Sequence, residues 1–390
     1  MAKEKTKNKS THVESDPTFE AGDVLSTISE EFNKKNKDGM QAISLDMEDS
    51  ALIPDWISTG STILDLAISN RKNGGLPVGR FVELTGLEGT GKSLMAAHIV
   101  AATQKKGGVA LMLDTENSAA PDFWRSVGVN LAPNRLRYIH VETVEDIFTT
   151  IEYFVANIRK TSKDVLFTII VDSVAAASTK AELESEHGKT GYATDKSIII
   201  SKAMRKITNM MGKQKVLVVF TNQLRQNLKA MAFGDQWVVS GGKALAYHCS
   251  ARIRLNSMTK LKNGDDVIGV KCKADVKKTR FGPGHRKAEF DIYYDSGIAD
   301  YAGWLDVLKK KGLVTQSGAY YTYKQVVGEP IKMQSKEFIT LMKTNNELRD
   351  EVYDAICKEW IMLYKEPNSV IVDDVVADDS DEAGEDTENG

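Results

Sequence analysis

Apolar positions along this chain follow two spacings. In Phe81-Val-Glu-Leu-Thr85, 109–114, 136–141, 165–172 and 215–222 they alternate or run together briefly, as in strands; in 93–105, 143–160 and 195–212 they recur every three or four residues, as in helices. Strand and helix take turns from about Ile57 to Gly297. That alternation predicts an α/β fold, a largely parallel sheet with helices on both faces, in which ligands gather at the carboxyl ends of the strands. Ahead of it, a helix is predicted over 21–35, with Val24, Leu25, Ile28 and Phe32 in one apolar stripe, followed by a candidate strand at Met40–Leu45. Elements so isolated need a surface to pack on, their own domain or a neighbouring subunit. Beyond Tyr301, a helix at 304–311, a turn at 316–319, the aromatic run Tyr320–Tyr323 and helix signals to Tyr364 predict a small α+β domain. The expected division is 1–56, 57–298, 299–372 and 373–390.

Composition narrows the class. With 390 residues, 42% of them hydrophobic, the chain has ample material for a core. Its longest apolar runs, such as Val165–Val171, are far too short to span a membrane, and the polar start MAKEKTKNKS lacks the apolar segment of a secretory signal, so a cytoplasmic location is expected. Cys249, Cys272 and Cys357 are widely separated, which argues for buried thiols rather than disulfides or a metal site. The net charge of −3 hides an asymmetry: removing the nine carboxylates that follow residue 372 leaves +6 on residues 1–372. The acidic tail 373–390 is expected to be disordered. It reads either as a solubilising end or as a polyanion competing with nucleic acid for a basic surface.

The chemistry concentrates between the strand at 81–85 and the helix that follows. There, Gly86, Leu87, Glu88, Gly89, Thr90 and Gly91, with Lys92 and Ser93, spell the G-x-x-x-x-G-K-S phosphate loop. In this context backbone N–H groups wrap a phosphate, Lys92 reaches the outer phosphates and the Ser93 hydroxyl reaches Mg²⁺. The strand 109–114 ends in Asp114-Thr-Glu116; Glu116 suits the orientation of an attacking water, and Asp114 is either part of the site or a cap for the next turn. Asp172 closes the apolar run VLFTIIVD, the Walker B position that holds Mg²⁺. The buried strand Val216–Gln223 ends in the Gln223 amide, suited to a terminal phosphate. The long irregular segment after it carries Arg225, Lys229 and Lys243 with Phe233 and Trp237, cations beside flat rings, a combination a single strand of nucleic acid exploits and a protein core also uses.

Taken with Ile57-Ser-Thr-Gly-Ser61, Gly74–Arg80, VDSVAA (171–176), SKAMRK (201–206), FTNQLR (220–225) and GGKAL (241–245), these motifs resemble, in unbroken order over roughly 28–323, the RecA family: bacterial RecA and phage relatives of the UvsX type. The resemblance implies an ATP- and Mg²⁺-dependent recombinase of DNA repair that forms a helical filament on single-stranded DNA and exchanges strands with a homologous duplex. It implies partners: single- and double-stranded DNA, further copies of the chain, and single-strand-binding and mediator proteins. The cell would be bacterial, phage-infected or not. Glu116 matches the family's catalytic glutamate and Gln223 its γ-phosphate sensor. Residues 184–194 and 224–240 resemble the two DNA loops, and Ser201, Arg205, Gly241, Gly242 and Lys243 fall where the family contacts DNA phosphates. Lys278 and Arg280 match a basic pair that reaches the neighbouring subunit's ATP, and the N-terminal helix and strand match the element that docks on the adjacent subunit. Phe123 stands where the family stacks a tyrosine on adenine, and Ala120 replaces an adenine-reading aspartate, which implies weaker discrimination among purine triphosphates. The alternative reading is a hexameric ring motor of the replicative helicase type, which shares the ATPase core.

Overall fold

The computed structural model describes residues 17–36, 42, 53–117, 120–162, 164–184, 192–211, 214–226, 237–239, 244–326 and 328–364. It divides into two compact units, Met1–Leu52 and Ile53–Gly390. In the first, the helix Pro17–Lys35 leaves Val24, Leu25 and Ile28 more than half exposed, with Phe32 alongside on the same stripe. Asn33 exchanges hydrogen bonds with the backbone of Ala42 at 2.7 and 2.8 Å. The remainder of the expected strand at Met40–Leu45 lies outside the described residues.

The second unit is built on a ten-stranded sheet. Its main path runs Gly297–Ala299, Lys287–Tyr293, Asp266–Thr279, Ala251–Asn263, Phe81–Gly86, Val216–Gln226, Phe167–Asp172, Val109–Asp114, Leu136–His140. From Ala251–Asn263 to Leu136–His140 all pairings are parallel. The expected alternation therefore holds as far as Val216–Gln226 and then stops. After Ala251 the chain turns back on itself in an antiparallel meander, opened by a two-residue turn in which Gly264 takes φ 62°.

Helices cover both faces. Lys92–Lys105 packs its buried Leu94, Met95, Ile99 and Val100 on one face, with Thr62–Ser69 and Asp300–Lys310. Val144–Thr161 and Tyr192–Met211 cover the other, the latter burying Ile200, Met204, Ile207 and Met211 at helical spacing. Phe220 anchors that layer between Phe81 and Phe148, with ring centroids 6.0 and 6.1 Å away.

Strand Phe81–Gly86 alternates apolar and polar residues, yet it is buried on both faces. Its polar residues are paired inside. Glu83, 1% exposed, accepts from Arg252 Nε at 2.7 Å and from Asn222 Nδ2 at 3.0 Å, and Thr85 Oγ1 donates to the Ile253 carbonyl. Beyond the sheet, Val314–Ser317, Tyr320–Tyr323 and Ile331–Gln334 form a small antiparallel sheet with helices Ser335–Thr344 and Asn346–Trp360. Of the turn expected at 316–319, only Gly318 and Ala319 turn; Gln316 and Ser317 pair with Tyr321 and Tyr320.

Candidate nucleotide and DNA site

The phosphate loop leaves the sheet at Gly86 and enters the helix at Lys92. A Cβ at Gly86 would run into Thr90 Oγ1 and stand 2.8 Å from the Leu255 carbonyl oxygen, so only glycine fits beneath the loop. Gly91 caps the helix at φ 92° with no side-chain hydrogen bond, leaving the first N–H groups to the loop's concavity. Lys92 is buried and donates to the loop's own carbonyls, Gly86 at 3.1 Å and Leu87 at 2.8 Å. Burial pulls its ammonium below the ordinary lysine value, against the opposing pull of Asp172, Glu116 and Glu88.

Strand order explains what faces this loop. Val216–Gln226 lies between the phosphate-loop strand and Phe167–Asp172, with Val109–Asp114 next. Three parallel strand ends thus deliver Gln223, Asp172 and Glu116 to one place. Asp172 accepts from Ser93 Oγ at 2.7 Å and from the Thr221 hydroxyl. Glu116 Oε1 accepts from Ser173 Oγ at 2.6 Å and from Gln223 Nε2 at 3.3 Å. Asp114 takes the second of its two readings: fully buried, it accepts from Glu116 N at 2.8 Å and from Tyr138 OH at 3.1 Å, holding the turn. The donor set fits a nucleotide with its magnesium. Backbone N–H groups and Lys92 line the cradle, and a hydroxyl and a carboxylate, those of Ser93 and Asp172, meet at its rim.

From the sequence Ser173, Thr221 and Thr115 carry no individual role, although Ser173 and Thr221 stand inside VDSVAA and FTNQLR and Thr115 lies between Asp114 and Glu116. For Ser173 and Thr115, a hydroxyl at a strand end beside a candidate acid is the signal that marks them. Phe123 lies in the helix Pro121–Ser126, half-buried against the core, and Ala120 caps that helix without a side-chain bond.

The segment 224–240 was expected to be a loop throughout. Instead its two ends form an antiparallel ribbon, Leu224 opposite Val239, Arg225 opposite Val238 and Gln226 opposite Trp237. Pairing across fourteen intervening residues leaves no local periodicity to read. Gln223 and the exposed Arg225 therefore share one continuous strand. Phe233, Gly241, Gly242 and Lys243 lie outside the described residues, as do 185–191 of the first expected DNA loop; Tyr192–Thr194 already belong to the following helix. Ser201 and Arg205 are one turn apart on that helix, away from its buried face, and Lys196 ties it to the chain leaving Asp172 by donating to the carbonyls of Ala175 and Ala177 at 3.0 and 2.6 Å.

Lys278 and Arg280 sit elsewhere. Thr279 pairs with Ala251 and Ala251 with Val82, whereas the phosphate loop departs beyond Gly86, paired with Leu255. Four residues of strand, about 13 Å, separate those levels before the loop begins. The two cations lean on the carboxyl end of the short helix Ala244–His248. Lys278 Nζ donates to the Ala246 and Tyr247 carbonyls at 2.7 and 3.1 Å, and Arg280 to Tyr247 at 3.4 Å. Burial, then Arg280 beside it, lowers the Lys278 ammonium. His248 is lowered by burial and by the nearby charges of Arg205, Arg280 and Lys278.

Fold and site together define the P-loop nucleotide-binding class, with an added strand between the phosphate-loop and Walker B strands. Residues 23–299 match the model of the RecA N-terminal domain. Protein RecA of Clostridium acetobutylicum is 35% identical over 80% of this chain and 85% of its own, that of Corynebacterium glutamicum 35% over 82% and 81%, and that of Synechocystis 36% over 75% and 78%. The chain belongs to the RecA family, the ATP-dependent recombinases of DNA repair and recombination. This match does not favour the ring-motor alternative. Among the described residues no helix is long and apolar enough to cross a membrane.

Proposed function

We propose that this chain polymerises on single-stranded DNA with ATP and Mg²⁺ bound, hydrolyses the ATP when DNA is engaged, and exchanges the strand with a homologous duplex. The observation that carries this reading is the continuity of one strand. Gln223 donates to Glu116 beside the phosphate loop, and from the next residue the same strand becomes the ribbon that bears Arg225 two positions on. A strand is stiff along its length, so displacement of the ribbon by DNA is felt at the Gln223 amide, and the reverse holds by linkage.

In this mechanism Gly86, Leu87, Glu88, Gly89, Thr90 and Gly91 cradle the phosphates, Lys92 turns from its loop carbonyls to them, and Ser93 and Asp172 hold magnesium. Bound magnesium supplies charge neutralisation across the outer phosphates. Glu116 orients the attacking water, and Gln223 reports the terminal phosphate. Ser201, Arg205, Arg225, Phe233, Gly241, Gly242 and Lys243 hold the DNA. Lys278 and Arg280, remote from their own chain's loop, stabilise charge on the neighbour's nucleotide, which makes hydrolysis depend on assembly. Phe123 stacks on the base, which Ala120 leaves read by one hydrogen bond fewer. The division at 56, 298 and 372, a cytoplasmic site of action, and single-strand-binding and mediator partners belong to the same proposal.

Glu116→Gln separates binding from chemistry. It is expected to keep ATP-dependent retention of an oligonucleotide while phosphate release falls by about 100-fold or more. Normal turnover by that variant would remove Glu116 from its role.

A further inference from the structure

The residue between Asp114 and Glu116 is bonded more heavily than a linker requires. Thr115 N donates to the Asp172 carbonyl at 2.8 Å. Its hydroxyl donates to the Ser173 carbonyl at 2.8 Å and accepts from Ser173 N at 2.9 Å. One hydroxyl proton and one lone pair account for both bonds. The dipeptide Asp172-Ser173 is thus fastened to the neighbouring strand end by three hydrogen bonds from a single residue. Ser173, 1% exposed, delivers its own hydroxyl to Glu116 Oε1 at 2.6 Å. Gln223 reaches that same oxygen. Among the described residues Oε2 takes no hydrogen bond.

We propose that Thr115 is a positioning residue for hydrolysis: by clamping Ser173 it fixes the hydroxyl that orients the Glu116 carboxylate, so that Oε1 is held and Oε2 faces the attacking water. This rests on the reading of Glu116 given above. Thr115 touches neither nucleotide nor reacting atoms in this scheme; it acts only through Ser173. A β-branched side chain at the strand end restricts the hydroxyl to few rotamers, which suits a clamp. Valine has nearly the same shape and lacks both bonds, whereas serine keeps them.

The test is steady-state ATP hydrolysis on single-stranded DNA by the full chain, comparing wild type with Thr115→Val, Thr115→Ser, Ser173→Ala and the Thr115→Val/Ser173→Ala pair. Thr115→Val is expected to lower kcat about tenfold through lost orientation, with KM for ATP within about twofold and ATP-dependent oligonucleotide binding kept. Thr115→Ser restores most of the rate. The double variant is no slower than Ser173→Ala alone, because the two residues act as one unit. Wild-type kcat in Thr115→Val, a loss confined to KM, or losses that multiply in the double variant would each overturn the inference. Should Thr115→Val fail to fold, Ser173→Ala decides: it removes only the hydroxyl on Glu116, and an unchanged kcat overturns the inference. A wild-type chain that releases no phosphate with DNA present overturns the functional reading and this inference together.

Discussion

The two ends of the central sheet use their charged groups differently. At the phosphate-loop end, side chains satisfy one another: Ser93 and Thr221 on Asp172, Ser173 and Gln223 on Glu116, with Lys92 folded onto its own loop. At the opposite end, among the described residues, Lys278 and Arg280 form no ion pair and rest on backbone carbonyls of a five-residue helix. A carbonyl is a weaker partner for a cation than a carboxylate or phosphate, so these cations are held without being neutralised. This contrast is what the proposed function requires: two half-sites on each chain facing apart, one that binds and positions and one that supplies charge, meeting across a pair of copies.

The largest effect expected follows directly from that division. Lys92→Ala should lose hydrolysis down to background, and so should Lys278→Ala/Arg280→Ala, but for opposite reasons. Mixed on one DNA strand, the first variant lends its cations to the intact nucleotide sites of the second. Phosphate release should then recover to a sizeable fraction of the wild-type rate, measured per intact site. Absence of recovery at any mixing ratio would mean the cations serve their own chain.

A smaller effect separates the site's carboxylates from a second acidic pair on the same unit. Asp65 is sealed inside, accepting from Ser58 Oγ at 2.5 Å and from Thr59 N and Oγ1 at 2.8 Å; Asp300 accepts from Thr62 N at 2.7 Å and Thr62 Oγ1 at 2.5 Å. Burial pushes Asp65 up to about 7 and Asp300 up to about 6, from an ordinary 3.8. A carboxyl raised on folding favours the folded state fully below about pH 4, and that contribution is lost as pH rises through 6 and 7. Thermal unfolding midpoints should therefore fall across this window in wild type. They should fall less steeply in Asp65→Asn, by about 3 °C over the window, while DNA-stimulated hydrolysis at fixed pH stays unchanged. An equally steep fall in the variant would remove Asp65 as the titrating group.

Much of the nucleotide site was legible in the sequence because its signals are local. A phosphate loop between a strand and a helix, and an acid after an apolar strand, need only a few consecutive residues. The hydroxyl contacts were not legible, since Thr115 and Ser173 lie 58 residues apart in sequence, and Thr221 and Asp172 49, and only strand order brings them together. Register hid the ribbon in the same way: Leu224 and Val239 pair across a stretch that has no period of its own. The pairing of the buried Glu83 was hidden for a third reason: alternation marks the strand but not its neighbours, and it is Arg252 from one adjacent strand and Asn222 from the other that satisfy the carboxylate in the interior.

The central claim is that nucleotide, DNA and a second copy of the chain complete one another. Phosphate release from ATP, followed with and without single-stranded DNA while protein concentration is raised, tests it most directly. The rate per chain should be low without DNA and climb more steeply than linearly with protein when DNA is present, then level off once the strand is covered. A rate per chain that is the same at every protein concentration and indifferent to DNA would contradict it.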